Sequence, residues 1–167
     1  TTMATGGFSP RTASIGAYNS VYIDTVIIAF MLLAGTNFTL HYLALTGKPQ
    51  RYVFDPEFRV YIMIWLAACA TVTLIIWGGP YETLGSACRA AFFQCTSILT
   101  TTGFVTENFD VWPNAARVLL VLLMFIGGCA GSTGGGMKIV RVFLMIKKGM
   151  REIRRFLQPQ AVVVLKL

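Results

Sequence analysis

A short apolar run that ends in a Thr- and Gly-rich loop limits the folds open to this chain. The run over 87–99 is shorter than the roughly 20 apolar residues a helix needs to cross a bilayer. It leads directly into Thr-Thr-Thr-Gly-Phe at 100–104. Glycine permits unusual backbone angles and threonine adds hydroxyl groups. Non-helical backbone at membrane depth is tolerated only where protein buries it or where it lines a watery path. An ordinary loop outside the membrane is the alternative.

The composition is that of a membrane protein. The 167 residues are 55% hydrophobic and 13% charged, and the mean hydropathy is +0.65. Seven of the fourteen Lys and Arg residues lie over 138–155, just after an apolar run. That placement is typical of a cytoplasmic membrane flank, so nucleic acid is not an expected partner. The chain starts without an initiator Met or a signal peptide, and we expect it to be a piece of a longer polypeptide.

The four cysteines are expected to be buried, reduced thiols. They lie in apolar or Gly-rich surroundings without Cys-x-x-Cys spacing, which disfavours a metal site or a disulfide. They are Cys69, Cys88, Cys95 and Cys129.

Hydropathy predicts an order of spans. One transmembrane helix is predicted over 21–45 and a second over 57–77, where Gly78-Gly79-Pro80 follows. A short helix over 83–99 precedes the Thr-Gly loop. A third span starts at 113, is interrupted over 127–136 by six glycines, and a helix resumes from 137 to about 156. In the first span, Asp24 is expected at the membrane interface and Asn37 is expected to bond to another helix.

The charges predict how the spans are oriented. Basic residues in the link at 46–56 and over 147–155 belong to the cytoplasmic side, which places the loop at 100–104 toward the outside. The short helix then enters from outside and points its C-terminus inward. That end carries the negative pole of the helix dipole and attracts a cation. Acidic residues on the outer side add to the attraction. They are Glu82, Glu107 and Asp110.

The start of the chain repeats its middle. Residues 5–9, Thr-Gly-Gly-Phe-Ser, align with 101–105 at an offset of 96, and the same offset places Ala-Gly-Thr at 34–36 on Ala-Gly-Ser at 130–132. The unit is a helix, a short helix, a Thr-Gly loop and a helix. One unit would expose its loop carbonyls to lipid, whereas several around an axis can line a pore. Rings of carbonyls that replace the hydration shell are the known solution for K⁺.

Three strings carry a family resemblance. They are Thr-Met-Ala-Thr-Gly-Gly-Phe-Ser at 2–9, Thr-Thr-Thr-Gly-Phe at 100–104, and Gly-Gly-Cys-Ala-Gly-Ser-Thr-Gly-Gly-Gly-Met-Lys at 127–138. With them the sequence resembles the TrkH-type subunit of the bacterial TrkH/KtrB superfamily of K⁺ uptake proteins, over nearly the whole chain. The resemblance implies an all-α membrane protein with helix–pore-helix–helix repeats of a potassium-channel-like fold, four to a pore and incomplete in this chain.

The resemblance also implies a domain organisation. Residues 1–45 are the filter segment and second transmembrane helix of one repeat, and 46–56 are a cytoplasmic link. Residues 57–146 form the complete following repeat: a transmembrane helix over 57–77, a pore helix over 83–99, a filter over 100–105, and a broken helix over 113–146. Residues 147–167 are a basic cytoplasmic link toward a missing repeat.

The site residues follow from the same resemblance. The K⁺ filter comprises Ala4, Thr5, Gly6, Gly7 and Phe8 in one loop and Thr100, Thr101, Thr102, Gly103 and Phe104 in the other. The gate loop comprises Gly127, Gly128, Gly131, Ser132, Thr133, Gly134, Gly135, Gly136 and Lys138. K⁺ is the transported ion, and no organic cofactor is expected. The Lys138 side chain either repels cations in the closed state or extends to the cytoplasm, and extension is favoured slightly.

The implied setting is a multi-pass protein of the bacterial inner membrane. The family forms a homodimer and pairs with a cytosolic nucleotide-binding ring of the TrkA type. The basic residues over 147–155 then face anionic membrane lipid, that partner or only solvent.

Four rival functions have weaker support. A phosphate-binding loop would need Gly-Lys-[Ser/Thr], but Met137 separates Gly136 from Lys138. A substrate-coupled secondary transporter with broken helices is the main alternative, and it predicts inverted repeats. An enzyme would need a catalytic cluster, and the single histidine, His41, has no evident partner set. A purely structural membrane subunit would not explain two Thr-Gly loops in register.

Overall fold

In the computed structural model the described residues are 1–157, and over that range the chain is helical without a strand. Two isolated bridges, between Trp77 and Tyr81 and between Ile126 and Met137, close turns. The helices are α1 (Val21–Ala34), α2 (Phe38–Leu45), α3 (Gln50–Phe54), α4 (Pro56–Ile76), α5 (Leu84–Leu99), α6 (Asn114–Met124) and α7 (Ile139–Leu157), with 3-10 turns at Ser14–Tyr18 and Phe109–Val111.

Helices α4 and α5 start at side-chain caps that the sequence encodes locally. The Asp55 carboxylate accepts a hydrogen bond from the Phe58 amide at 2.7 Å, and Pro56 fits the first turn of α4. The Thr83 hydroxyl accepts from the Ser86 amide at 3.3 Å and begins α5. Within residues 1–157, α4 is the one helix that is long and apolar enough by itself to cross a membrane.

The predicted single span over 21–45 is a broken helix. The structure divides it into α1 and α2, which are bent by 100° at Gly35–Asn37. The Asn37 side chain accepts from the Thr39 amide at 2.9 Å and so caps α2, rather than bonding to another helix. The carbonyls at the end of α1 accept hydrogen bonds from the distant Gly-rich segment, so tertiary contacts stabilise the bend.

Helix α5 lies at the centre of the fold and packs against α1, α4 and α6. Small residues on α5 allow close approach to α4, and Trp65 donates to the Thr96 hydroxyl at 2.8 Å across that interface. The second half of α5 is almost completely buried although the helix is too short to cross a membrane. Its core-facing small residues are Ala87, Ala90, Ala91 and Cys95.

Asp24 is buried against α5. It is 2% exposed, and its carboxylate accepts from the Arg89 guanidinium at 2.7 Å. A buried carboxylate is costly unless it is paired. Asp24 was expected at the interface because its partner, Arg89, lies 65 residues away in the sequence. The pair fixes the first turn of α1 to the short helix.

The last helix crosses a predicted boundary. Helix α7 runs through residue 146, which the domain organisation implied by the resemblance made the start of a link at 147–167, and it agrees with the helix predicted from 137 to about 156. Most of its exposed apolar residues share one arc of the helix, whereas the exposed Leu144 lies on the side of the basic residues. The part of that predicted link beyond residue 157 lies outside the described residues.

Candidate ion filter and gate loop

The two Thr-Gly loops have the same unusual backbone. The φ angles are 47° at Thr5 and 65° at Gly7, and 56° at Thr101 and 85° at Gly103. Left-handed φ is rare for a β-branched residue and costs on the order of 1–3 kcal/mol. The same strain therefore occurs at positions that the internal repeat made equivalent.

Three hydrogen bonds recur at the same offset. In the first loop they join Thr5 N to Thr2 O (3.0 Å), Gly6 N to Thr1 O (3.1 Å) and Thr1 Oγ1 to Phe8 O (2.8 Å). In the second loop they join Thr101 N to Ile98 O (3.0 Å), Thr102 N to Ser97 O (2.9 Å) and Ser97 Oγ to Phe104 O (2.7 Å). Each member of the second set lies 96 positions after its counterpart. The Thr1 hydroxyl thus stabilises the first loop, and the Ser97 hydroxyl stabilises the second. Sequence reasoning missed them, although extending the repeat alignment would have paired them.

The two loops lie side by side. A Cβ at Gly7 would collide with the carbonyl oxygen of Thr102, whereas a Cβ at Gly103 would meet nothing within 4 Å. The segments that follow the loops also meet, because the Val105 carbonyl accepts from the amides of Ile15 and Gly16, both at 3.1 Å. The predicted filter residues therefore come together, with open space beside Gly103.

The aromatic residues that close the two loops differ. Phe104 is 3% exposed and packs with Ile15, Met31 and Phe93, whereas Phe8 is 78% exposed. The Thr100 side chain is also internal, because its hydroxyl bonds to the Thr96 carbonyl and the Thr102 hydroxyl, each at 2.8 Å. The side chains of Thr100 and Phe104 therefore support the second loop from within.

The Gly-rich segment over 127–136 contacts both loops. The Thr5 hydroxyl donates to the Thr133 carbonyl at 2.9 Å, and the Thr133 hydroxyl donates to the Met3 carbonyl at 2.9 Å. On the second loop, the Gly135 amide donates to the Thr101 hydroxyl at 2.6 Å. Thr5 and Thr101 are equivalent in the repeat, so the segment bonds to the same position of each loop.

The same segment fills the bend between α1 and α2. The Cys129 amide donates to the Gly35 carbonyl at 2.9 Å, and the Gly131 carbonyl accepts from Phe38 at 3.1 Å. Its two ends meet, since a Cβ at Gly127 would collide with the Gly135 carbonyl. Glycine is needed at Gly127 because no side chain fits between these two backbone segments.

Lys138 folds back onto the Gly-rich segment. Its ammonium donates to the Gly134 carbonyl and lies 3.4 Å from both the carbonyl and the hydroxyl oxygens of Ser132. The favoured expectation that Lys138 extends to the cytoplasm is wrong in this structure. Loop carbonyls without helical partners attract the ammonium locally.

A polar cluster ties the segments that flank the second loop. The Tyr81 hydroxyl donates to Glu107 and accepts from Trp112 Nε1 at 3.3 Å. Burial, together with the bond to Glu107, raises the pKa of Tyr81 to about 12, so this hydroxyl stays protonated at neutral pH. The cluster joins the turn after α4 to the segment after the loop.

Sequence comparison decides the family. Residues 1–78 and 79–166 match TrkH, described as a cation transport protein. The chain belongs to the TrkH family. The resemblance inferred from the sequence motifs is thereby confirmed, and a cation transport family is not a family of enzymes.

The relatives are potassium uptake proteins. The chain is 44% identical over 168 residues to the "Trk system potassium uptake protein TrkH" of Salmonella typhimurium, covering 99% of this chain and 35% of the relative. It is 35% identical over 164 residues to TrkG of Escherichia coli, covering 97% of this chain and 34% of that relative. The chain therefore spans about a third of the length of these TrkH-family relatives.

A solved structure has the same fold. The chain superposes on the potassium transporter TrkH from Vibrio parahaemolyticus with a TM-score of 0.95 at 42% identity, covering 99% of this chain and 36% of that chain. The prediction of an all-α membrane-protein fold is confirmed by this match.

Proposed function

We propose that the complete protein of which this chain is part carries K⁺ across the bacterial inner membrane. The names of the TrkH relatives, potassium uptake proteins, support this substrate. The observation that carries the proposal is the pair of Thr-Gly loops with positive φ at equivalent positions, packed side by side. Backbone held in strained φ at equivalent positions of two loops is typical of a functional site.

The proposed filter works through backbone carbonyls. In each loop φ is positive at the threonine and at the glycine two residues later, and alternating φ signs turn successive carbonyls to the same side. Within the filter segments at 4–8 and 100–104, the carbonyls of Thr5, Gly6, Thr101 and Thr102 then replace the hydration shell of K⁺. The open space beside Gly103 is where a loop of the next repeat would pack, as the second loop packs beside Gly7.

The proposed gate is the Gly-rich segment. It has few helical hydrogen bonds and is held by the bonds of Thr133 and Gly135 to the two loops. Such an element can take two arrangements of similar energy. In the arrangement of this structure the Lys138 ammonium occupies the carbonyl oxygens of Ser132 and Gly134, which an ion would otherwise contact. Movement of the segment would therefore change both the path of the ion and the position of the Lys138 charge beside that path.

The proposed domain organisation follows the loops. Residues 1–45 supply a filter segment and the broken second helix of one repeat, and 57–146 supply the following repeat, joined by the link at 46–56. The bent pair α1–α2 and helix α4 account for two spans. Helix α5 enters between them, and the whole is multi-pass in the inner membrane.

Helix α7 is the proposed contact with anionic membrane lipid. Five of its six described exposed apolar residues share an arc of about 140°, at 100° per residue, and Arg141, Lys147, Lys148 and Arg151 lie outside that arc, as in helices that lie in the membrane interface. The five are Met145, Ile146, Met150, Ile153 and Phe156, and the sixth, Leu144, lies on the side of the basic residues. Replacing Met150 by Glu should weaken the response of transport to anionic lipid, measured in vesicles with and without phosphatidylglycerol. An equal response in the variant would contradict this contact.

Two protein partners are proposed from the family. The complete protein forms a homodimer and binds a cytosolic nucleotide-binding ring of the TrkA type. The mass of the purified protein with and without the ring, measured by light scattering, tests both partners. The mass of a monomer would contradict the homodimer, and an unchanged mass after addition of the ring would contradict the binding of the ring.

The test of the function is ion flux through the complete protein in liposomes. We expect K⁺ flux to exceed Na⁺ flux, and we expect Gly103→Ala to remove that preference because φ at this position is +85°. An L-residue with left-handed φ costs roughly 1–2 kcal/mol. Normal K⁺/Na⁺ discrimination in this variant would contradict the filter assignment. Absent cation flux, with the ring and nucleotide supplied, would favour the substrate-coupled secondary transporter.

A further inference from the structure

Glu57, in the first turn of α4, bridges the two sides of the gate loop. One carboxylate oxygen, Oε1, accepts from the Ala130 amide at 2.6 Å and from the Val140 amide at 3.3 Å. Ala130 lies in the first half of the Gly-rich segment, and Val140 lies in the first turn of α7. A single side chain on a neighbouring helix therefore joins the segment to the helix that follows it.

The position suits a carboxylate. The first amides of a helix have no partner within the helix and form the positive end of its dipole. Glu57 supplies an acceptor and a negative charge to that end of α7, although it comes from another helix. Hydrogen bonds to a charged group are stronger than those between neutral groups, so the bridge is strong enough to hold a flexible Gly-rich segment in place.

Glu57 also directly follows the cytoplasmic link. Residue 55 caps α4, and Glu57 is two positions further on. At the other side of the link, the Tyr52 hydroxyl bonds to His41, whose second ring nitrogen lies 2.9 Å from the Leu33 carbonyl at the end of α1. The link is thus connected to the gate region in two ways, through Glu57 in the helix that directly follows it and through the bond of Tyr52 to His41 beside the α1–α2 bend that the Gly-rich segment fills.

We propose that Glu57 is a positioning residue that holds the gate loop closed and transmits movement of the link at 46–56 to it. This proposal rests on the proposed function, in which the Gly-rich segment is the gate. The bridge itself is independent of which ion passes. A force on the link shifts the first turn of α4, which moves Oε1 away from the Ala130 amide and releases the segment.

Cys129 provides a readout that does not require transport. It is fully buried and directly precedes Ala130, so release of the segment exposes its thiol. In the complete protein with its other cysteines replaced by serine, the rate of maleimide labelling at Cys129 measures this opening. K⁺ leak from liposomes without the regulatory ring is measured in parallel.

Three variants separate geometry from charge. Glu57→Ala removes both hydrogen bonds, and we expect labelling of Cys129 and K⁺ leak to rise about tenfold. Glu57→Asp keeps the charge but is too short to reach both amides, and it should raise labelling as well. Glu57→Gln keeps the reach of Oε1 and should stay within about threefold of the parent, since only the charge assistance is lost.

The matched control is Glu152→Ala, a carboxylate exposed on α7 and outside the proposed ion path. Labelling at Cys129 that is the same in Glu57→Ala, Glu57→Asp and the control overturns the proposal. If Glu57→Ala does not fold, the labelling rate of Glu57→Asp compared with that of Glu57→Gln tests the proposal, and equal rates in these two variants overturn it. Raised labelling without any K⁺ flux in the parent would support the bridge and contradict the transport function, so the two failures are distinguishable.

Discussion

Replacing Gly7 by alanine is expected to remove most K⁺ preference from the reconstituted complete protein. The added Cβ would collide with the Thr102 carbonyl oxygen of the neighbouring loop, and alanine also disfavours φ of +65°. The left-handed φ alone costs roughly 1–2 kcal/mol, or about tenfold in an equilibrium, before the collision is added. Because the obstacle is backbone, it can be relieved only by separating the two loops. The measurement is the ratio of K⁺ to Na⁺ flux in liposomes.

Gly85→Ala is the matched control for Gly7→Ala. Gly85 lies in the first turn of α5, where a Cβ meets nothing within 4 Å and φ is not left-handed. Alanine there favours the helix slightly and should leave the flux ratio unchanged. A normal flux ratio in a folded Gly7→Ala protein would show that close packing of the two loops is not what selects the ion.

Freeing the Gly-rich segment is expected to raise the K⁺ leak by about 30- to 150-fold, as for the loss of two or three hydrogen bonds that contribute about 1 kcal/mol each. Deleting residues 132–135 removes Thr133 and Gly135, through which the segment bonds to the two loops. Gly127→Ala is the gentler variant, because its Cβ displaces the Gly135 carbonyl while every other residue is kept. The measurement is K⁺ efflux from liposomes without the regulatory ring.

Gly149→Ala is the control for the segment. Gly149 lies on α7, where a Cβ meets nothing within 4 Å. We expect it to retain the parent leak. If both the deletion and Gly127→Ala leave the flux unchanged in folded protein, the segment is not the gate, and the narrowest part of the path must lie elsewhere.

Local sequence signals located most helices well. The short helix was predicted over 83–99 and is observed as Leu84–Leu99, and the second span was predicted over 57–77 and is observed as Pro56–Ile76. Caps and breakers within a few residues of these ends determine them, which is why a sequence reveals them. The repeat at an offset of 96 was also visible, and the backbone strain at Thr5 and Thr101 follows it.

The bend between α1 and α2 was not visible in the same way. An apolar run over 21–45 satisfies the length of a span, and one Gly and one Asn do not require a 100° bend. The bend is stabilised because the Gly35 carbonyl accepts from Cys129, and Thr133 donates to Ala34. Those donors come from a segment about 95 residues later in the chain, where hydropathy carries no information about the pairing.

The sequence by itself thus determined the order of the helices, the two Thr-Gly loops and the Gly-rich interruption, since these depend on neighbouring residues. Only the tertiary structure decided which polar groups meet. Asp24 pairs with Arg89, Lys138 turns back to Gly134, and Glu57 reaches Ala130 across 73 residues. The physical reason is that loop amides and carbonyls, unlike those of a helix, must find partners wherever packing brings a donor or an acceptor within reach.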